Sequence, residues 1–231
     1  MQIDVNWSPE VAEEYPKLAV CIGLISGVTV QKENEQLREL KKAVYEEVRR
    51  KYSIEALKDD LTVRAYRDFY WRLDIDPTKT RPSGEALLRR VLHGDDLPNI
   101  CTVVDAYNLV SMKTIVPISG FNRDRLAPPF QIRFARNDEI FTGIGISAPM
   151  FLTTKMLVLV DRKQILSIYP YRDCDYTKIT METRNAMIIG YGAPRIAQKQ
   201  LTNAVETTLS FIKQVSGGEI AAMQVFQSNS G

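Results

Sequence analysis

Apolar positions along this chain recur with two periods, and the two periods divide it into helices and strands. Over 33–51, Leu37, Leu40, Val44 and Val48 fall on one stripe at helical spacing. Glu33 and Glu35 open that helix and Arg49, Arg50 and Lys51 close it, which suits the helix dipole. Leu61, Ala65, Phe69 and Leu73 predict a second helix over 61–74, with Tyr66, Tyr70 and Trp71 as packing bulk. After the prolines of 76–82, Ala86, Leu87, Leu88, Val91 and Leu92 mark a third helix that Gly94 stops. A fourth covers 102–115, with Val103, Val104, Tyr107, Val110 and Met112 seeking burial. A fifth starts at Pro194, carries Leu201, Val205, Thr208, Ile212 and Val215 on one face, and ends at Gly217-Gly218.

Strand patterns fill the remainder. Residues 2–5 read as a short strand, and 18–30 as a strand apolar enough to be buried on both faces. Residues 131–136 alternate strictly and lead through Asn137-Asp138 into a hairpin partner at 140–146. Residues 156–160 and 164–169 pair around Asp161-Arg162, and 185–190 form a short buried strand. The last five residues read as a frayed tail. The glycines at 143 and 145 open no helix and make no dinucleotide fingerprint.

Two polar clusters interrupt these patterns. Asp105, Asn108 and Ser111 recur every third residue in an otherwise apolar helix, so they must find hydrogen-bond partners or face a cavity. They either satisfy backbone in the corner 118–122 or contact a ligand. The second cluster, 169–183, holds Arg172, Asp173, Cys174, Asp175, Thr177 and Thr180 between two strands. Arg172 with Asp173 and Asp175 suits a clamp for the carboxylate and ammonium of an amino acid, or an internal ion pair. Cys174 has no nearby base in the sequence, so water positioned by Asp, Thr and backbone groups is the simpler route to hydrolysis.

Composition then removes several classes. The 231 residues, 45% hydrophobic and 25% charged, suit a soluble domain with a sizeable core. A net charge of +2 is too small for a nucleic-acid coat, and no DNA partner is expected, while a local basic patch stays open. Cys21, Cys101 and Cys174 lie far apart and His93 is the sole histidine, so no metal site is expected and the thiols read as reduced, in the cytoplasm. His93 stands at a helix end without a partner pattern for catalysis. The N-terminus lacks a signal-peptide pattern, and the longest apolar run, 18–25, is too short to cross a bilayer.

The segments TRPSGEALLRRVLHG, LPNICTVVDAYNLVSMKTIVPISGFNRDRL and RDCDYTKITMETRN resemble solo relatives of the B3/B4 domain of the phenylalanyl-tRNA synthetase β subunit, from about Arg81 onward. The resemblance implies an α+β fold, with a mixed, partly barrel-like sheet and flanking helices. It implies one B3/B4-like domain over 1–231, with an N-terminal strand and helix part (1–75) and a motif-bearing part (76–231). In the synthetase this domain hydrolyses tRNA carrying tyrosine in place of phenylalanine, so a solo copy is expected to be a trans-editing hydrolase of mischarged aminoacyl-tRNA. The alternative is a non-catalytic module that binds amino acid or tRNA.

Ser119 stands where the synthetase domain has the histidine of Pro-x-His-Ala-Phe-Asp, and Gly190 where it has a glutamate, which removes the tyrosine-specific contacts. The expected substrate pocket comprises Asp105, Asn108, Ser119, Arg172, Asp173, Asp175 and Thr177. Lys113, Arg123, Arg125 and Lys155 are the expected tRNA contacts; no cofactor is expected, and no single residue is assigned the catalytic step.

Overall fold

The computed structural model describes residues 3–228. The first part of the chain forms β1 (Val5–Trp7), α1 (Pro9–Glu14), β2 (Ala19–Ser26), α2 (Glu35–Lys51) and α3 (Leu61–Arg72). The middle forms α4 (Ser83–Leu92), α5 (Thr102–Thr114), β3 (Ile118–Asn122), β4 (Phe130–Phe134), β5 (Ile140–Phe141) and β6 (Met150–Phe151). The last part forms β7 (Leu157–Val160), β8 (Ile165–Ile168), β9 (Arg172–Asp173), β10 (Asn185–Tyr191), α6 (Gln198–Ser216) and β11 (Glu219–Gln227). This is a mixed α+β fold in which the described residues form three sheets, in the orders β11-β2-β10-β3, β1-β4-β7-β8-β9 and β5-β6. Among the described residues none of the sheets closes on itself. The β1–β4 pair is parallel and every other pair is antiparallel.

The four-stranded sheet divides the interior. Alternate residues of β2 enter different cores, as period-2 alternation requires. Ala19, Cys21 and Ile25 join a core built with α2, α4, α5 and α6. Val20, Ile22 and Leu24 join a second core with α1, α3 and the five-stranded sheet. The continuous apolar run of 18–30 thus has its cause: both faces of the strand are covered. A third, smaller core lies between the five-stranded sheet and the β5–β6 hairpin, around Phe141, Leu152, Val158 and Ile168.

Local chemistry fixes the helix ends. Asn34 Oδ1 accepts from Leu37 N at 2.9 Å at the start of α2, and Asp60 Oδ1 accepts from Thr62 N and Val63 N at α3. Glu85, fully buried in α4, binds Arg67 of α3 at 2.8 Å and Arg89 of its own helix at 2.6 Å. Tyr66, Tyr169 and Tyr191 are fully buried, and each hydroxyl has a partner: Tyr191 O at 2.7 Å, Gly192 O at 2.8 Å and Ser167 Oγ at 2.8 Å, respectively.

Several elements differ from the sequence pattern. Strand β1 runs later than 2–5, and residue 2 lies outside the described residues. The six-residue α1 gives no periodic signal, being too short for one; Ser8 caps it by accepting from Val11 N. Leu61, expected in the apolar stripe, is 82% exposed because it is the first residue of α3. Residues 140–146 contain only the two-residue β5, which pairs with β6, while β4 pairs with β7. Helix α6 starts at Gln198, four residues after Pro194. Glu219–Gln227, read as no element, is the longest strand of the fold. Part of the tail read as frayed is held, since Ser228 N donates to Leu18 O at 2.8 Å and Ser228 Oγ to Tyr15 O at 2.7 Å; residues 229–231 lie outside the described ones. Among the described residues no helix is long and apolar enough to cross a membrane.

Candidate functional site

A cavity of about 410 Å³ lies between α5, β3 and β9. Three segments build it. Helix α5 presents Val104, Tyr107 and Asn108, whose i, i+3, i+4 spacing sets them on one side of the helix. The helix ends with Ile115 in the left-handed region (φ 63°), and Ser111 Oγ donates to Val116 O at 2.7 Å, which fixes the turn into β3. Strand β3 then carries Ser119 to the cavity wall. A Cβ on its neighbour Gly120 would lie 2.8 Å from the Tyr107 ring, so only glycine lets that ring lie across the strand.

The third segment is β9, whose Arg172 and Asp173 both line the cavity. Asp173 O accepts from Ile144 N at 2.9 Å, and Arg172 Nη1 donates to Ile144 O at 2.9 Å. The Arg172 stem runs along Gly143, where an added Cβ would meet its Cδ at 2.6 Å. The loop bearing Ile144 is thereby tied over the cavity, and Ile144 supplies part of the apolar lining with Ile100, Ile118 and Ile179.

Asp173 has the most perturbed carboxyl of the site. Burial pushes its pKa up to about 7, against the opposing pull of a Ser119 hydrogen bond and the Arg172 charge. Ser119 Oγ donates to Asp173 Oδ1 at 2.8 Å. Burial chiefly, and the Asp173 charge secondarily, hold the Tyr107 and Tyr191 hydroxyls well above the usual tyrosine range. Arg172 lies 5.1 Å over the Tyr171 ring, and its Nε is buried without a partner. The side chains of Tyr107 and Asn108 make no hydrogen bond within the described residues. The cavity therefore holds a carboxyl that titrates near neutral pH, a hydroxyl bonded to it, and the unpartnered side chains of Tyr107 and Asn108.

Of the seven residues expected in the pocket, Asn108, Ser119, Arg172 and Asp173 come together here. Asp105 does not line this cavity: it is buried, pairs with Lys41 of α2 at 2.6 Å and accepts from Ile100 N at 3.0 Å. A spacing of three residues turns by about 60° per step on a helix, so Asp105, Asn108 and Ser111 fan out to different neighbours. Asp175 pairs with Lys178 at 2.8 Å and lines a separate cavity of about 630 Å³ beside Cys174 and Tyr176. Thr177 is fully buried, its Oγ1 unpartnered, while its carbonyl accepts from Asn122 N at 2.8 Å.

The basic residues are dispersed. Arg123 and Arg125 follow β3 directly, and Arg125 donates to Tyr176 O at 2.8 Å with its guanidinium 5.1 Å over the Tyr176 ring. Lys113 pairs with Glu47 at 2.7 Å, and Lys155 with Asp74 at 3.7 Å in a groove beside Trp71 and Tyr15. Sequence reasoning missed Tyr107, Lys178 and Ile144 as lining residues. Tyr107 was recognisable as the neighbour of Asn108, and Lys178 as part of the second polar cluster; the Ile144 loop showed only its flanking glycines, 143 and 145, as a mark of close approach. His93 is exposed at the end of α4, and among the described residues no group of three or more His, Cys, Asp and Glu comes together as metal ligands.

Two of three comparisons with known proteins find a likeness. No curated protein matches the chain. Among 17 matching solved chains is an N-terminal fragment of the phenylalanyl-tRNA synthetase β subunit from Pyrococcus horikoshii. It superposes with a TM-score of 0.52 at 15% identity, over 95% of this chain and 50% of the fragment, so this chain spans half of the fragment's length and the likeness is one of fold. The B3/4 domain model matches residues 65–216, a span that contains every residue lining the cavity. The chain belongs to the B3/4 domain family.

Proposed function

We propose that this chain is a cytoplasmic trans-editing hydrolase, one domain over 1–231, that deacylates mischarged aminoacyl-tRNA. The observation that carries the reading is Asp173, a carboxyl with a pKa of about 7 facing an amino-acid-sized cavity. At neutral pH such a group is about half ionised, which suits a general base. The ester linking an amino acid to a ribose hydroxyl is activated, so positioning a water and stabilising an oxyanion go far.

In this mechanism Asp173 takes a proton from water as the water oxygen attacks the ester carbonyl carbon. Negative charge gathers on the carbonyl oxygen, where the Asn108 amide and the Tyr107 hydroxyl are the available donors. The carbon–oxygen bond to the ribose then breaks, and the ribose oxygen takes the proton back from Asp173. Free amino acid and tRNA leave. Ser119 positions the carboxylate through its 2.8 Å hydrogen bond. Ile100, Ile118, Ile144 and Ile179 give the amino-acid side chain an apolar surround.

Of the expected tRNA contacts, Arg123 and Arg125 follow β3 directly and have no carboxylate partner among the described residues; Lys113, on α5, and Lys155 reach phosphate only by exchanging theirs. The test is a panel of mischarged tRNAs, followed by loss of the ester. Deacylation of at least one member, abolished by Asp173→Asn, is expected; no loss of ester across the panel overturns the reading. Two observations favour a second reading, a non-catalytic binder of amino acid or tRNA. The family's histidine is absent from the cavity and Arg172 with Asp173 offers both signs of charge. That reading predicts saturable binding of amino acid or tRNA with no turnover.

A further inference from the structure

Strand β11 ends the four-stranded sheet, bonded to β2 on one side and, among the described residues, to no strand on the other. It is nine residues long, and its first six are exposed. Among the described residues no backbone group outside the sheet bonds to Ile220–Phe226 along the outer edge. Such an edge offers a ready row of N–H and C=O groups to a further strand.

Edges are ordinarily guarded by lysine, proline, a bulge or a covering element. Glu219–Gln227 has no Lys, Arg or Pro. Its one charge, Glu219, is neutralised by Lys213 at 3.3 Å. The single bulge, between Ile220 and Ala222, lies close to that end and leaves Ala222–Gln227 in regular register with β2. The opposite edge of the sheet, β3, is guarded by a bridge from Phe121 to Lys178, so the two edges differ.

Side-chain alternation says what the edge fits. Met223 and Val225 pair with Gly23 and Cys21 of β2, on the face covered by α6, since a Cβ on Gly23 would meet Leu209 of that helix. Phe226 leans on the opposite core. Ile220 and Met223 remain 46% and 38% exposed, an apolar ledge beyond the helix layer.

The geometry points to a second copy of this chain as the partner, docked β11 to β11 in antiparallel fashion about a two-fold axis at Gln224, which makes one continuous eight-stranded sheet. In that register Met223 stands opposite Val225 of the second copy, Ala222 opposite Phe226, and Gln224 opposite itself. Apolar meets apolar and small meets large, the cross-strand pairings that stabilise sheets. The antiparallel sense sends each Glu219 to opposite ends, so no like charges face each other. An edge with no free charge gives an acidic or basic partner nothing to read, whereas self-pairing needs only backbone and apolar complementarity, the mark of an isologous contact. This proposal does not rest on the editing reading.

Sedimentation equilibrium of the chain across the micromolar range tests it, with two variants. The wild type is expected to form a dimer. Gln224→Lys, at an exposed position, opposes two ammonium groups on the axis and weakens the dimer at least tenfold with unchanged circular dichroism. Gln224→Cys gives a covalent dimer on mild oxidation, because directly opposed Cα atoms in an antiparallel pair lie about 4.5–5.5 Å apart, within disulfide range. A wild type that stays monomeric throughout, or a dimer whose strength Gln224→Lys leaves unchanged, overturns it.

Discussion

Asp173 concentrates the chemistry of the site in one carboxyl, and its environment makes two signed statements. The first concerns rate. If ionised Asp173 is the base, kcat/KM for ester hydrolysis rises with pH through a midpoint at about 7 and then levels. The Ser119 hydroxyl stabilises the ionised form, so Ser119→Ala moves that midpoint upward; a midpoint unmoved by the substitution counts against the pair acting together. The second concerns stability. Below about pH 4 both folded and unfolded chains carry the proton, and Asp173 has no effect. Between about 4 and 7 only the folded chain keeps it, so stability falls as pH rises, and above about 7 the loss is constant. Asp173→Asn removes the burden of the buried charge. Its melting temperature is therefore expected to exceed the wild type's by a margin that grows from pH 4 to 7 and then stays level, read by calorimetry across buffers. A margin independent of pH would mean that the shift is not linked to Asp173. Functional groups held at a cost in stability are common at active sites. Much of this was legible at residue scale: Asn108, Ser119, Arg172 and Asp173 are polar intrusions in apolar or strand-like surroundings, and they converge. Asp105 is the same kind of intrusion and goes elsewhere, because Lys41, 64 residues away in sequence, supplies its counter-charge. No local pattern encodes that pairing.

At the scale of elements, helices were easier to read than strands because period 3.6 over ten or more residues is a redundant signal. Helices α2, α3, α4 and α5 sit close to where their stripes put them. Strand β11 was invisible because Glu219–Gln227 mixes Ala, Met and Gln without alternation, and its strand state is imposed by eight paired positions along β2. The two-residue strands β5, β6 and β9 were likewise beyond pattern, since they exist only as pairings. Cohesion between elements rests on few polar anchors, and Glu85 is the clearest. Burial pushes its carboxyl up, but hydrogen bonds and charges from Arg67 and Arg89 outweigh that and hold it below the usual glutamate range. Removing it leaves two guanidinium groups partly buried without their counter-ion. Breaking a buried ion pair costs about 3–5 kcal/mol, so Glu85→Ala is expected to destabilise the chain by that order in urea titrations. Since the folded pKa is depressed, the contribution of Glu85 is present above about pH 4.5 and fades as pH falls further, so the gap between variant and wild type should close in acid. A loss well under 1 kcal/mol at neutral pH would show that α3 and α4 are held by apolar packing alone.

For the whole molecule, the question is whether an N-terminal part and a motif-bearing part fold as one unit. The arrangement of the four-stranded sheet argues that they do. Strand β2 comes from the N-terminal part and lies between β10 and β11, both from the far end of the chain. Its residues feed both large cores: Cys21 and Ile25 pack with the helices, Val20 and Ile22 with the five-stranded sheet. Strand β10 does the same, with Ile188 in one core and Met187 and Ile189 in the other. Opening either core therefore strips one face of the strands that the other core needs, and neither can melt while the other keeps its native packing. The expected result is a single unfolding transition, the same midpoint for far-ultraviolet circular dichroism and for tryptophan emission. Trp7, on β1, reports the five-stranded sheet and Trp71, on α3, the helix beside it, while the dichroism is dominated by α2, α5 and α6 on the other side. The probes thus sample opposite faces of the central sheet. Two separated midpoints would mean that β2 can leave one core intact, and the matched span 65–216, which lacks β2, would then be the independently stable unit. A shared midpoint makes residues outside that span, β2 above all, as necessary to the cavity as the residues that line it.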